Sequence, residues 1–250
     1  MTIVQLPSIA GCRLWHIDLD ASTAADASDC LSEDERARAV RFVFERDRRR
    51  YVAAHVALRE TLSTVTGSSA AELTFDVGAF GKPSLAAPST LRFNLSHSAG
   101  AGLIAISDSG NGSDSGSSPE IGVDVEALRP LSYSAALAAE YLTVAEQQGL
   151  AATAPPDRDL AFLTCWTRKE ACVKALGLGL SIDTRSFEVG VTPETRTVVM
   201  EVVGRIEMLQ VHSFRHGRDL VCSLAKVLNE TTCAISSSTS STSSIEREFA

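Results

Sequence analysis

At 250 residues and 44% hydrophobic content, the chain can form one large domain or two small ones around a proper apolar core. Its 31 acidic and 23 basic residues leave a net charge of −8, which argues against a general nucleic-acid binder, since that function needs a broad positive field. No run approaches the roughly 20 apolar residues of a membrane span, and residues 1–11 lack the basic start and long apolar middle of a signal peptide; a soluble cytoplasmic protein is expected. Cys12, Cys30, Cys165, Cys172, Cys222 and Cys233 are scattered with no C-x-x-C pair, which fits reduced thiols better than a disulfide or zinc framework.

Residues 14–19 alternate as Leu-Trp-His-Ile-Asp-Leu and predict a first strand whose polar residues His16, Asp18 and Asp20 share one face. Ser32-Glu-Asp-Glu35 has the form of a capping box and predicts a helix start near Glu33. Eight arginines (36, 38, 41, 46, 48, 49, 50 and 59) crowd the next segment, so a compact anionic ligand is possible there in spite of the acidic whole. Tyr51, Ala54, His55, Leu58 and Leu62 then keep helical period until Gly67, with His55 read as a packed core residue. Residues 73–77 predict a short strand, Gly81-Lys82-Pro83 a turn, and residues 91–98 (LRFNLSHS) and 103–107 two further strands. Residues 109–119 (SGNGSDSGSSP) hold too little apolar content to order themselves and read as a linker.

Beyond it, residues 121–126 (IGVDVE) predict a strand whose Asp124 and Glu126 point to one face. Residues 131–150 carry Leu131, Leu137, Tyr141, Leu142 and Leu150 amid few charges, with a second capping box at Thr143–Glu146, and read equally as an apolar face for a partner or as helix packed on its own half. Phe162, Cys165, Trp166, Cys172, Val173 and Leu176 predict a helix over 160–176, stopped by Gly177. Trp166, Glu170 and Lys174 lie along one flank of that helix. Strands are predicted near 187–191, 198–203, 208–214 and 220–227, and a polar Ser/Thr-rich tail from 229. The order of parts repeats: a strand with acids two apart, a capping box, then a histidine (His97, His216), a turn and an apolar strand. The pattern predicts an α+β fold of two similar halves, 1–108 and 121–228, joined by 109–120, followed by the tail 229–250, with a ligand cleft between the halves.

Asp124 and Glu126 on one strand face, with Glu170 added from a helix, make a hard oxygen site suited to magnesium, which takes few protein ligands and completes its shell with water and phosphates. Taken in order, GKP (81–83), FNLSHS (93–98), IGVDVE (121–126) and WTRKEACVKALGLGL (166–180) resemble the surfactin-type 4′-phosphopantetheinyl transferases over about residues 12 to 228. The resemblance implies a monomeric pseudo-dimer that moves 4′-phosphopantetheine from coenzyme A to a serine of an acyl or peptidyl carrier protein, releasing adenosine 3′,5′-bisphosphate. It implies magnesium on Asp124, Glu126 and Glu170, with Glu170 or a water it orients as the base. His97, Lys82 and Ser96 are implied as coenzyme A phosphate contacts, Lys174 as the residue beside the pyrophosphate with Lys169 next to it, Arg38 as the 3′-phosphate contact and Arg50 as its neighbour. Two rival readings use the same residues: a magnesium-dependent nucleotide phosphohydrolase, and a non-catalytic coenzyme A or carrier-binding module.

Overall fold

A computed structural model of the chain describes residues 1–21, 28–107, 118–132 and 134–228. Residues 109–117 of the predicted linker and the whole predicted tail lie outside the described residues. The first half is a four-stranded antiparallel sheet ordered β1-β2-β6-β5, from β1 (Thr2–Ile9), β2 (Cys12–Asp18), β5 (Arg92–Ser98) and β6 (Ala101–Ser107). It carries α1 (Glu33–Val40) and α2 (Glu45–Thr66), with a small two-stranded sheet of β3 (Phe75–Val77) and β4 (Pro83–Leu85) beside it. The second half is a sheet ordered β7-β10-β9-β8, from β7 (Ile121–Ala127), β8 (Arg196–Val202), β9 (Arg205–His216) and β10 (Leu220–Val227), with α3 (Ser134–Tyr141), α4 (Val144–Ala152) and α5 (Arg158–Leu176). In order and connection β2-β6-β5 matches β7-β10-β9, so the repeat read from the sequence is a repeat of structure; β1 and β8 are additions at opposite edges.

Both capping boxes form, Ser32 with Glu35 and Thr143 with Glu146. Each box glutamate also takes a buried cation from the long helix of its own half. In the first half Arg59 Nε of α2 donates to Glu35 Oε2 at 2.7 Å, Arg59 Nη1 donates to the carbonyls of Ala70 and Leu73, and the guanidinium lies over Phe75. In the second, Lys169 Nζ of α5 lies 2.9 Å from Glu146 Oε2, donates to the carbonyls of Thr184 and Phe187, and sits over the Phe187 ring. Each cation staples helix start, long helix and following loop together. A charge taken out of water persists only when its donors and acceptors are met in this way.

Two departures from the sequence reading have physical causes. β1 was not predicted, because an edge strand that is mostly exposed shows no apolar alternation, and Pro7 sits where its pairing with β2 shifts register. Residues 187–191 form no strand: Val189 N–H donates to Glu146 Oε1, and the carbonyls of Phe187 and Val189 accept from Lys169 and Arg168, so side chains replace a ladder. The apolar residues of 131–150 form α3 and α4 and turn inward, Leu142 fully buried and Leu131, Leu137 and Leu150 packed on the core beneath α5. The opposite side of the segment stays open: Val144 is exposed, and Ser134, Ala135, Gln147 and Leu150 line a cavity of about 370 Å³ with Arg158 and Phe162.

The halves meet in a shared apolar core. Cys12, Leu14, Leu103 and Ala105 from the first pack with Ile121, Val123, Val125, Cys222 and Leu224 from the second. Burial pushes the Cys172 and Cys222 thiols up to about 12, so they behave as small apolar side chains, as expected of reduced, unreactive cysteines. His216 does not face a ligand: its ring lies 4.4 Å from that of His16 across the seam.

Candidate active site

β5 and β7 lie side by side where the halves meet, joined by side chains instead of a ladder. Alternate residues of β5 point at β7. Asn94 Oδ1 accepts from Val123 N–H at 2.9 Å, Ser96 Oγ donates to Asp124 Oδ1 at 2.8 Å, and Ser98 Oγ donates to Glu126 Oε2 at 2.6 Å. α5 is brought close against β7 by Gly122. A Cβ there would fall 2.2 Å from the carbonyl oxygen of Ala171 and 2.3 Å from the amide nitrogen of Ala175, so only glycine admits the helix this close. α5 buries most of its surface, but Trp166, Glu170 and Lys174 remain partly exposed, the flank expected from their spacing. Trp166 is drawn away to Tyr141 and Phe162, while Glu170 and Lys174 border the cleft. The helix ends where predicted, at Gly177 in the left-handed region, with Leu178 N–H closing on the carbonyl of Val173.

Lys174 Nζ meets Asp124 Oδ1 at 2.5 Å and Ser96 Oγ at 3.1 Å. The other oxygen of that buried carboxylate, Asp124 Oδ2, has no hydrogen-bond partner among the described residues. Burial raises Asp124, Glu126 and Glu170 above the usual carboxylate range, and each of the latter two is raised further by neighbouring acids, while Lys174 acts in the opposite sense on all three. The acids share one field. Among the described residues, however, no three such side chains are drawn close enough to enclose an ion. The His97 ring, on β5, makes no hydrogen bond among the described residues. Its surroundings lower its pKa, first by desolvation, then through Lys174, with Arg38 and Arg50 adding to this and Asp124 opposing. Arg38 is exposed, its guanidinium over the Tyr51 ring. A cleft of about 260 Å³ lies beside these groups, lined by Phe80, Gly81, Pro83, Leu95, Glu170 and Lys174 among others. An acid cluster flanked by Lys174, His97, Arg38 and Arg50 is an arrangement for polyanions whose charge a cation must share.

Residues 120–225 match the model of the 4′-phosphopantetheinyl transferase superfamily, and residues 19–108 match that of the 4′-phosphopantetheinyl transferase N-terminal region. The 4′-phosphopantetheinyl transferase HetI of Nostoc sp. is 36% identical over 186 residues, 72% of this chain and 74% of that protein. This chain belongs to the surfactin-type 4′-phosphopantetheinyl transferases. Sfp of Bacillus subtilis is 28% identical over 159 residues, 64% of this chain and 66% of its own, and AcpT of Salmonella typhimurium is 37% identical over 100 residues, 40% and 47%. The two matched regions coincide with the two halves of the fold, the transferase pseudo-dimer.

Within this transferase, several expected site residues have partners of their own. Lys169 is fully buried in its pair with Glu146 and does not stand beside a pyrophosphate; the repeat explains why, since its counterpart is Arg59. Lys82 borders the cleft, but its ammonium is turned to Glu120 at 2.5 Å and to the carbonyls of Ile121 and Ala175, clasping the two halves; a phosphate contact would cost it those partners. Ser96 is buried, with its hydroxyl donated to Asp124 Oδ1 and accepting from Lys174. Arg50 is held by Asp20 through two bonds of 2.7 and 2.6 Å. Asn94, Ser98 and Gly122 went unassigned from sequence. The N-x-S-x-S alternation of β5 was the available signal for the first two.

Proposed function

We propose that this transferase moves the 4′-phosphopantetheine group of coenzyme A to a serine of an apo acyl or peptidyl carrier protein, with magnesium, releasing adenosine 3′,5′-bisphosphate. The observation that carries the reading is the unpartnered buried oxygen Asp124 Oδ2, set among three carboxylates whose pKa values burial has raised. Such a group is costly unless a cation completes it. An all-oxygen donor set with phosphates as neighbours fits magnesium, and Asp124, Glu126 and Glu170 would hold it. When bound, the ion neutralises charge on the pyrophosphate oxygens.

The chain's own residues supply the rest. Lys174, released from Asp124, and His97, with no partner to give up, reach phosphate oxygens whose charge grows as the pyrophosphate bridge breaks. The serine oxygen forms its bond to the pantetheine-side phosphorus as the bond to the adenosine-side phosphate opens. The serine proton passes to Glu170 or to a water it orients, and a carboxylate raised by burial is the stronger acceptor. Holding both substrates in line removes entropy cost before the chemical step. Both walls of the cleft come from one chain, so a monomer suffices.

Mass spectrometry of an apo carrier protein incubated with the protein, coenzyme A and magnesium tests this directly. The expected result is one added phosphopantetheine per carrier with stoichiometric adenosine 3′,5′-bisphosphate. Asp124→Asn should abolish transfer with an unchanged far-ultraviolet spectrum. Coenzyme A consumed with no carrier present would instead favour the phosphohydrolase, and coenzyme A bound but never used would favour the binding module.

A further inference from the structure

Under α5 a row of polar side chains crosses the second sheet. Register places Ser223 of β10 directly opposite Asp124 of β7 on one side and Ser213 of β9 on the other. Residues opposed in this way carry their Cβ atoms about 4.5–5.5 Å apart, within reach of each other. The two sides are used differently. Ser223 Oγ lies 3.0 Å from Ser213 Oγ and 2.8 Å from Thr167 Oγ1 of α5, but makes no hydrogen bond to Asp124 Oδ2. Asp124 is thus dressed on one oxygen only: Oδ1 takes Ser96 and Lys174, while Oδ2, equally buried, takes nothing among the described residues.

Counting protons explains the difference. A hydroxyl has one proton to give, an arginine N–H can only donate and a carbonyl can only accept. Thr167 gives its proton to the carbonyl of Thr164 at 3.2 Å, so in its contact with Ser223 it accepts. The single proton of Ser223 is thereby used, and Ser223 accepts from Ser213, which accepts in turn from Arg168 Nε at 2.7 Å. The chain runs one way, from Arg168 through Ser213, Ser223 and Thr167 to the Thr164 carbonyl, and both its ends are fixed. Arg168 is 1% exposed, and its other bonds go to the carbonyls of Val189 and Glu194. Thr167 and Ser223 are wholly buried, so solvent offers neither an alternative partner.

We propose that Thr167 and Ser223 are positioning residues for the cation: the chain commits the Ser223 proton to Thr167 and so keeps Asp124 Oδ2 open for the metal. The role rests on the proposed magnesium site. A serine facing a buried carboxylate with its proton free would donate to it, since a bond to a charged acceptor is among the stronger ones and an unmet buried oxygen is costly. Metal binding would then have to break that bond first. Ser96 and Ser98 shape the acids by giving protons; Thr167 does so by taking one away.

The test is manganese binding to the protein alone, without coenzyme A or carrier, read by electron paramagnetic resonance. Thr167→Val keeps the branched shape and removes the acceptor, so the Ser223 proton turns to Asp124 Oδ2 and manganese affinity should fall about tenfold. Thr167→Ser, which keeps the hydroxyl, should bind as the wild type does. In Thr167→Val combined with Ser223→Ala the misdirected proton is gone, and affinity should return to within about twofold of wild type. A packing loss at Thr167 would not be rescued by trimming a second buried side chain. Wild-type affinity in Thr167→Val, or a double variant no better than the single, would overturn the role. Neutron diffraction from wild-type crystals needs no variant: the Ser223 deuteron is expected on the line to Thr167, and one on the line to Asp124 would overturn the role equally. Wild-type protein that binds no manganese overturns the cation reading and this role with it, whereas the preceding outcomes overturn the role alone.

Discussion

The two halves of this transferase share a staple and differ in what their leading strands do. In each, a capping-box glutamate, a buried cation from the long helix, two loop carbonyls and a phenylalanine ring form the same unit, around Arg59 in one half and Lys169 in the other. On β2 and β7 the paired acids diverge. Asp18 Oδ1 accepts from the amides of Asp20 and Ala21, and Asp20 holds Arg50, so the first pair is spent on its own turn and rim. Asp124 and Glu126 instead face the seam, steadied by hydroxyls from the other half. Repetition preserves what folds each half; the chemistry is assembled once, from both.

If the staples are equivalent, breaking either should cost alike. Lys169→Ala leaves Glu146 buried without its cation, and Arg59→Ala does the same to Glu35, each a loss of about 3–5 kcal/mol. At about 2–4 °C per kcal/mol for a chain of this size, thermal midpoints should fall by 6–20 °C, roughly. Calorimetry showing a large loss for only one would break the equivalence. Lys169→Met, which removes the charge and leaves the carboxylate, should fare no better than Lys169→Ala.

The acids respond to pH in a way that separates the strands. Burial raises Asp124, Glu126 and Glu170, so the metal-free folded state holds protons that the unfolded chain has lost; the stability these groups contribute is present at low pH and falls as pH rises through the carboxylate range and above. A cation reverses this by favouring the charged forms. The stabilisation by magnesium over a chelator, read from thermal midpoints and about 2.7 kcal/mol at 100 times the dissociation constant, should therefore grow as pH rises through the range of these raised carboxylates. Asp18→Asn should leave that gain intact and Glu126→Gln should remove it.

In the proposed reading, Arg38 carries the first half's contribution to ligand charge. Arg38→Ala should weaken coenzyme A more than 3′-dephospho-coenzyme A by about 1.5–3 kcal/mol, the worth of a charged hydrogen bond, measured by calorimetric titration. Equal losses would move the contact to Arg36 or Arg41. The smallest effect is expected at Ser98. Ser98→Ala removes one bond to Glu126 and should weaken manganese binding, read by electron paramagnetic resonance, by about 0.5–1.5 kcal/mol, with Ser98→Thr restoring most of it.

The repeat, both capping boxes, the helix ending at Gly177 and the acids of β7 were legible because each is a local pattern of fixed period or spacing. The roles of Lys169 and Lys82 were not. A lysine's partner is set by which element packs above it, and nothing within four residues of Lys169 announces Glu146 or the loop at 184–187. Gly122 stood in the motif, but its meaning is the 2.2 Å approach of another element, a distance no single strand encodes. Which side of the run at 131–150 packs inward was likewise unreadable, since it depends on where α5 lies above Leu142.

The core at the seam bears on how the chain is held as one object. Cys12, Leu14, Leu103 and Ala105 would be bare in an isolated first half, and Ile121, Val123, Val125, Cys222 and Leu224 in an isolated second. Neither half is a module that could be traded alone into another protein; each is the other's chaperoned surface. A nick between residues 107 and 118 would therefore leave two pieces that remain bound through apolar contact, and catalytic competence would follow the pieces' affinity for each other more closely than the integrity of the peptide chain.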